Sequence, residues 1–430
     1  MRRLSSGTYV KRTSSEIEAA LAQLDREHLR RERRTIQGFI EPGSHVTAVI
    51  DGRQVVDFSS NDYLGLARHP GVAAAMSECA ERCGSGSGAS HLVTGHGAEH
   101  ACLEEELAAF TGRERALLFS TGYMANLAVI TTLAGRGESV LLDRLSHASL
   151  IDAGLLSGAR FKRYAHANAA AAESALAAQS DTTAVVATDG VFSMDGDVGP
   201  LDALARASRA HDAWLVVDDA HGLGVIGANG RGSAEHFGLD ANAVPVLVGT
   251  LGKAFGSFGA FVAGSNEVIE LLMQRARSYI YTTALPQPVA AASRKALEIA
   301  MRETWRRERV LALTARFRAG AKEMGVPVSA EPTVGAPAPG GLAGEAGRVV
   351  ARMQPLTPIQ PVILGSAEGA LRAQRELFAV GFCVVAIRPP TVPRGSARLR
   401  VTLSAAHTEA QVDGLVEALS RVCARHGVAC

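Results

Sequence analysis

Lysine is scarce in this chain, with five among 44 basic residues. An excess of either charge is missing too. A net charge of +1 gives no electrostatic reason to expect nucleic acid or a membrane surface as partner. No apolar run is long enough to cross a bilayer. The six cysteines (Cys79, Cys83, Cys102, Cys383, Cys423 and Cys430) contain no C-x-x-C pair. Their dispersal fits reduced thiols in a cytoplasmic protein. No G-x-S-x-G occurs, which excludes the commonest hydrolase elbow. What remains, at 430 residues with 47% hydrophobic and 20% charged, is the make-up of a soluble protein with large cores. The basic, Ser-rich opening "MRRLSSGTYVKRTSS" reads as an extension without a targeting role.

One of the few lysines stands in "VGTLGKAFGSFGA", just past a strand-like apolar segment and among small residues. A Walker loop is ruled out, because Leu247 and Ala254 occupy the positions that need Gly and Ser or Thr. Lys253 therefore reads as a lysine used for its amine, unless it is an ordinary loop lysine. "CGSGSGAS" holds a loose dinucleotide-type glycine pattern, but a helical stretch precedes it where a strand is required. His91, His96, His100 and Cys102 match no familiar zinc spacing, so no metal is expected.

From Ser15 to Arg34 the periodicity predicts a helix, with Ile17, Leu21 and Leu24 on one face. A hairpin turning at Asp51-Gly52 follows. Between Arg115 and Val262, the runs "ALLFS", "SVLLD", "RFKRY", "TTAVVATDG", "WLVVDD", "PVLVG" and "AFVAG" alternate for the most part with helical segments. That pattern predicts an α/β fold, a mostly parallel sheet sandwiched by helices. The segments after 301 predict a smaller α+β C-terminal domain. The expected units are 1–56 (helix and hairpin), 57–300 (large domain) and 301–430. A Pro/Gly/Ala-rich stretch near 331–353 reads as an inserted loop.

Open α/β sheets bind ligands at the carboxyl ends of their strands. Collected there are Thr121-Gly122-Tyr123 at a helix start, His147, Ser193, Asp218 and His221, and Thr250 with Lys253. Each has an ordinary reading as a cap, turn or structural histidine. Together they are what pyridoxal phosphate needs: an amine for its aldehyde, a carboxylate for its ring nitrogen, an imidazole for its ring face, and hydroxyls and backbone amides for its phosphate.

"DFSSNDYLGL", "RLSHASL", "GVFSMDGD", "VVDDAHG", "GTLGKAFG", "IYTTALP" and "AIRPPTVPRGSARLRVTLSAAHT" resemble, in order, the α-oxoamine synthases, fold-type-I pyridoxal phosphate enzymes. The resemblance runs from about Glu16 to the C-terminus. It implies Lys253 as the Schiff-base lysine, Asp218 on the pyridine nitrogen, His221 and Ser193 on the ring oxygen, and His147 stacked on the ring. It further implies Gly122, Tyr123 and Thr250 on the phosphate side. Thr282 or Thr283 would be contributed by the second subunit of a homodimer whose site lies at the interface. Arg400, or Arg398 on the same strand face, would clamp the amino-acid carboxylate. Thr391 and Arg34 at the end of the first helix, with Arg33 as competitor, would contact the acyl substrate. Asp189 departs from the family's usual Glu before G-V-F-S. "AIRPPTVP", with Arg388, favours the member that joins L-alanine to a pimeloyl thioester for biotin synthesis. Sister members join glycine to a short acyl-CoA, and the sequence leaves CoA and acyl carrier protein both open as carrier.

Overall fold

In a computed structural model, the structure describes residues 13–40, 46–178, 183–328 and 356–425. The basic N-terminal extension up to residue 12 and the insert near 331–353 lie outside the described residues. Seven strands build the central sheet: β4 (Arg115–Phe119), β5 (Ser139–Asp143), β6 (Arg160–Tyr164), β7 (Ala184–Asp189), β8 (Trp214–Asp218), β9 (Val246–Thr250) and β10 (Ala260–Gly264). Their order is β4-β10-β9-β8-β7-β5-β6. Only β10 runs against the rest, pairing antiparallel with both β4 and β9. The other pairs are parallel.

The strands read as unbroken apolar runs because both faces are covered. Along β7, Ala184 and Val186 enter one apolar layer while Val185 and Ala187 enter the other. Full burial of each Val, Leu or Ile contributes about 1.5–3 kcal/mol, so the sheet is the rigid part of the molecule.

The C-terminal region holds a three-stranded antiparallel sheet of β11 (Ile359–Gly365), β14 (Ala397–Thr402) and β13 (Val385–Ile387), in that order. The helices Trp305–Glu323, Ala367–Ala379 and Glu409–Arg425 close its core. A fourth sheet-forming segment, β12 (Phe382–Cys383), pairs in parallel with β3 (Arg53–Asp57). Through β3 it carries β2 (Thr47–Ile50) and β1 (Ile36–Phe39). The β2–β3 hairpin turns where the sequence indicated, with Asp51 and Gly52 at φ 50° and 75°.

The first helix is shorter than its periodicity predicts. It spans Ser14–Arg26 behind a Thr13–Glu16 capping box, and Arg30–Thr35 is non-helical. His28 takes φ 55°, and the Leu29 N–H returns to the Leu24 carbonyl at 2.8 Å, a left-handed cap. Continuing the helix would stack Arg30 on Arg34 at i, i+4, a like-charge pair costing about 0.2–0.5 kcal/mol. Arg34 is therefore not on a helix end. Among the described residues, no helix is long and apolar enough to cross a membrane.

Candidate active site

Lys253 follows β9 in a turn closed by the Gly256 N–H to Lys253 carbonyl bond, 2.9 Å. Gly256 sits at φ +62°, and a Cβ there would lie 2.2 Å from the Ala67 nitrogen. Only glycine lets this turn press against the Leu66–Ala67 backbone. That contact fixes where the lysine emerges.

The amine lies 2.8 Å from His221 Nε2, and His221 Nδ1 lies 2.7 Å from Tyr63 Oη. Tyr63 Oη in turn donates to Asn61 Oδ1 at 3.1 Å. Arg400 donates to Asn61 Oδ1 at 3.0 Å and to the Ser193 carbonyl at 2.5 Å. With Lys253 protonated, donor and acceptor roles agree along this chain when His221 is neutral, with its proton on Nδ1. Burial pushes His221 well below the ordinary histidine range, helped by Lys253 and Arg400. Burial, with Arg400 adding to it, also lowers Lys253 to about 8. A lysine so placed gives up its proton more readily than an ordinary lysine and offers a free amine as pH rises past about 8.

On the other side, Asp218 ends β8, almost fully buried. Its carboxylate accepts from Asn126 Nδ2 at 2.6 Å and from the Ala220 N–H at 3.1 Å. The adjacent Asp219 points elsewhere. It accepts the Ser233 N–H at 2.6 Å, and a Cβ on Gly190, Gly222 or Gly232 would come within 2.3, 2.1 or 1.9 Å of its carboxylate. Three glycines make room for Asp219, so it serves packing.

His147 caps the helix Ala148–Leu156, with its N–H donating to Asp189 Oδ2 at 3.0 Å. Its backbone is anchored while the residue stays exposed, which leaves a flat face for a planar ring. The protein packed around part of the ring desolvates it and lowers its pKa, and Lys253 acts in the same direction against the opposing pull of Asp218. Asp189 is raised well above the carboxylate range by burial and by Asp218. Thr121 Oγ1 caps the helix Gly122–Leu133, accepting the Met124 N–H at 3.2 Å. A Cβ on Gly122 would meet nothing within 4 Å. There is therefore open space beside Gly122 at this helix N-terminus, where a phosphate could approach the first backbone amides. Tyr123 bonds Asp152, and Thr250 Oγ1 donates to the Gly259 carbonyl at 3.1 Å. Amine, carboxylate, exposed imidazole and free helix terminus fit pyridoxal phosphate in chemistry and placement.

Arg398 and Arg400 share a face of β14 but differ in company. Arg398 is ion-paired with Asp195, whereas Arg400 contacts a carbonyl, an amide oxygen and a hydroxyl. Thr282 and Thr283 lie on a loop outside the sheet, where Thr283 bridges to Ser90 and the Leu285 carbonyl accepts from Ser87 Oγ at 2.7 Å.

Arg33, Arg34, Arg388 and Thr391 all line one cavity of about 1000 Å³, bordered by Ser59 and Ser60 next to Asn61. Arg34 lies 4.0 Å over the Phe378 ring and 3.9 Å from Asp51. Arg31 donates to Thr391 Oγ1 at 3.2 Å, and Arg388 holds the carbonyls of His28 and Arg30.

The structure also brings His91, His96 and His100 together, with ligand atoms within 4.8 Å of one another and without Cys102. His100 has both nitrogens engaged, accepting the Gly97 N–H at 2.9 Å and bonding the Leu285 carbonyl at 2.6 Å. The cluster thereby ties the Thr283 loop to the helix Ala98–Thr111.

Asn61, Tyr63, Asn126 and Ser149 also belong to the site, although the sequence did not mark them as candidates. Asn61 and Tyr63 stand inside "DFSSNDYLGL", a stretch already singled out, and Asn126 lies four residues beyond Gly122.

The fold and this donor set define a class. The chain belongs to the family described as aminotransferase class I and II, whose model matches residues 53–419. Among curated relatives, the 8-amino-7-oxononanoate synthase of Methylococcus capsulatus is 56% identical over 402 residues, 94% of this chain and 97% of that protein. A solved serine palmitoyltransferase from S. paucimobilis with a bound PLP–myriocin adduct superposes with a TM-score of 0.85 at 30% identity. That match covers 96% of this chain and 98% of the other. The 8-amino-7-oxononanoate synthase of Francisella tularensis gives 0.69 at 31% identity, over 85% and 97%.

Proposed function

We propose that this protein condenses L-alanine with a pimeloyl thioester to give 8-amino-7-oxononanoate, CO2 and the free thiol carrier, a step of biotin biosynthesis. It is a pyridoxal phosphate-dependent acyltransferase of the 8-amino-7-oxononanoate synthase type. The observation that carries the substrate reading is the cavity whose wall holds Arg33, Arg34 and Thr391 together with Ser59 and Ser60, which directly precede Asn61, the partner of Tyr63 and Arg400. A dicarboxylic acyl chain needs such a space, with a cation at its far end.

When bound, pyridoxal phosphate supplies a sink for the electrons left at the alanine Cα. Lys253 would hold the cofactor through its aldehyde, and its amine is the base placed to take the α-proton of alanine. Asp218 would hold a proton on the ring nitrogen, His147 would cover the ring face, and His221 with Ser193 would face the ring oxygen. Gly122, Tyr123 and Thr250 would hold the phosphate, joined by Thr282 or Thr283 of a second copy in a homodimer. Arg400 is the better carboxylate clamp, since Asp195 already occupies Arg398. A carbon–carbon bond forms between the alanine Cα and the acyl carbonyl as the thiol leaves. The alanine carboxylate departs as CO2 and a proton returns to Cα. Partners are small molecules with their carrier, and the protein works in the cytoplasm.

Arg34 is the proposed contact for the distal carboxylate, held in place by Phe378 and Asp51. Arg34→Ala is expected to lower kcat/KM for the pimeloyl donor about ten- to a hundredfold, the scale of a lost charged hydrogen bond of about 1.5–3 kcal/mol. Alanine α-proton exchange should be unaffected. An unchanged kcat/KM would move the contact to Arg33. A fall in exchange as large as that in kcat/KM would remove Arg34 from acyl recognition.

A further inference from the structure

Asn126 is buried in the helix Gly122–Leu133, where the packing alone has no use for a carboxamide. Its Nδ2 donates one hydrogen to Asp218 Oδ2 at 2.6 Å and the other to Ser149 Oγ at 2.8 Å. Ser149 Oγ lies 2.8 Å from His147 Nδ1, and Ser149 is fully buried. Asn126 Oδ1 is buried without a partner. A buried amide oxygen left unpaired costs free energy, so this orientation is held by what the Nδ2 side gains.

The directions of donation follow from the groups themselves. A carboxylate accepts only, so the Asn126 NH2 must face Asp218, and turning the amide would put two oxygens together. The second Nδ2 hydrogen occupies a lone pair of Ser149 Oγ and directs the serine hydrogen toward His147 Nδ1. The Ser149 N–H points at the same nitrogen from 3.3 Å. His147 then carries its proton on Nε2 and presents a bare Nδ1.

We propose that Asn126 is a positioning residue that couples the Asp218 carboxylate to the tautomer of His147 through Ser149. One amide thereby sets both groups that would flank the cofactor ring: it orients the carboxylate that would meet the ring nitrogen and the imidazole that would cover the ring face. The inference rests on the cofactor site proposed above but not on the choice of amino acid or thioester.

The test uses full-length holoenzyme labelled with 15N-histidine, in wild type, Asn126→Leu, Ser149→Ala and the double variant. His147→Gln identifies the His147 signals. Wild type should show an unprotonated Nδ1 and a protonated Nε2. Asn126→Leu should give a second population protonated at Nδ1, because the serine hydroxyl is then free to accept. Its kcat should fall on the order of tenfold with a smaller change in the KM for alanine, the scale of losing an outer partner of a functional histidine. The double variant should be no worse in kcat than the poorer single one, since both break one relay. Unchanged His147 signals in Asn126→Leu, or strictly multiplicative losses in the double variant, would overturn the coupling. If Asn126→Leu does not fold, Ser149→Ala must still shift the His147 signals, and a spectrum identical to wild type would overturn it equally. Substrate assays speak only to the choice of amino acid and acyl donor, so the two readings fail separately.

Discussion

Lys253→Ala is expected to abolish covalent attachment of the cofactor and to cut turnover about a thousandfold or more. One amine would anchor the aldehyde and move the α-proton, and a positioned general base alone contributes about 10²–10⁴ in rate. The fold should survive the change. Burial holds Lys253 at about 8 against an ordinary 10.5, so its charged form is disfavoured in the folded chain. Between those values the unfolded chain keeps a proton that the folded chain has released. The stability cost of Lys253 in cofactor-free protein is therefore fully present below about 8 and fades as pH rises toward 10.5. Lys253→Ala should unfold no earlier than wild type at neutral pH and should lack that rise. Borohydride treatment of wild-type holoenzyme, followed by peptide mapping, should place the cofactor on the Lys253 peptide. Near-normal turnover by Lys253→Ala would end this assignment.

The second large effect is expected from Asp218→Asn. The carboxylate takes hydrogens from Asn126 Nδ2 and the Ala220 N–H with its two oxygens. A carboxamide can accept only one of them, its NH2 meets the other donor, and it cannot stabilise a protonated ring nitrogen. Loss of one preorganised electrostatic group of this kind costs about 2.7–4 kcal/mol, or about 10²–10³ in rate. The variant should keep bound cofactor while its α-proton exchange slows by that factor. Asp219, enclosed by Gly190, Gly222 and Gly232, lies off the ring-facing side. An unchanged exchange rate in Asp218→Asn would mean that the ring-facing carboxylate had been misassigned.

The large sheet was legible because parallel strands covered on both faces are continuous apolar runs, as β5, β7 and β8 are. Residues at the strand ends could be collected for the same reason, since a parallel sheet delivers its carboxyl ends to one edge. The end of the first helix was not legible. It depends on His28 adopting a left-handed conformation, and nothing local marks a histidine for that. Asn126 and Ser149 sit inside helical segments where a single polar residue looks unremarkable, and their role exists only once two helices place them against Asp218 and His147. His91, His96 and His100 were set aside with Cys102 for matching no zinc spacing; that the three histidines meet was not legible, because the π-helical turn His91–Gly95 shifts the helical phase and spacing by 3.6 does not predict it.

The most direct test of the account is kcat/KM for L-alanine and glycine, each paired with pimeloyl, succinyl and acetyl thioesters, with CO2 release and the amino-ketone product identified by mass. Alanine with pimeloyl is expected to be the best pair. Its preference over glycine should be modest, because one methyl in an apolar pocket is worth about 1–3 kcal/mol. Its preference over acetyl and succinyl should be sharper, because those donors leave the cation in the cavity without its carboxylate. A best pair of glycine with succinyl or acetyl, with pimeloyl turned over poorly, would contradict it.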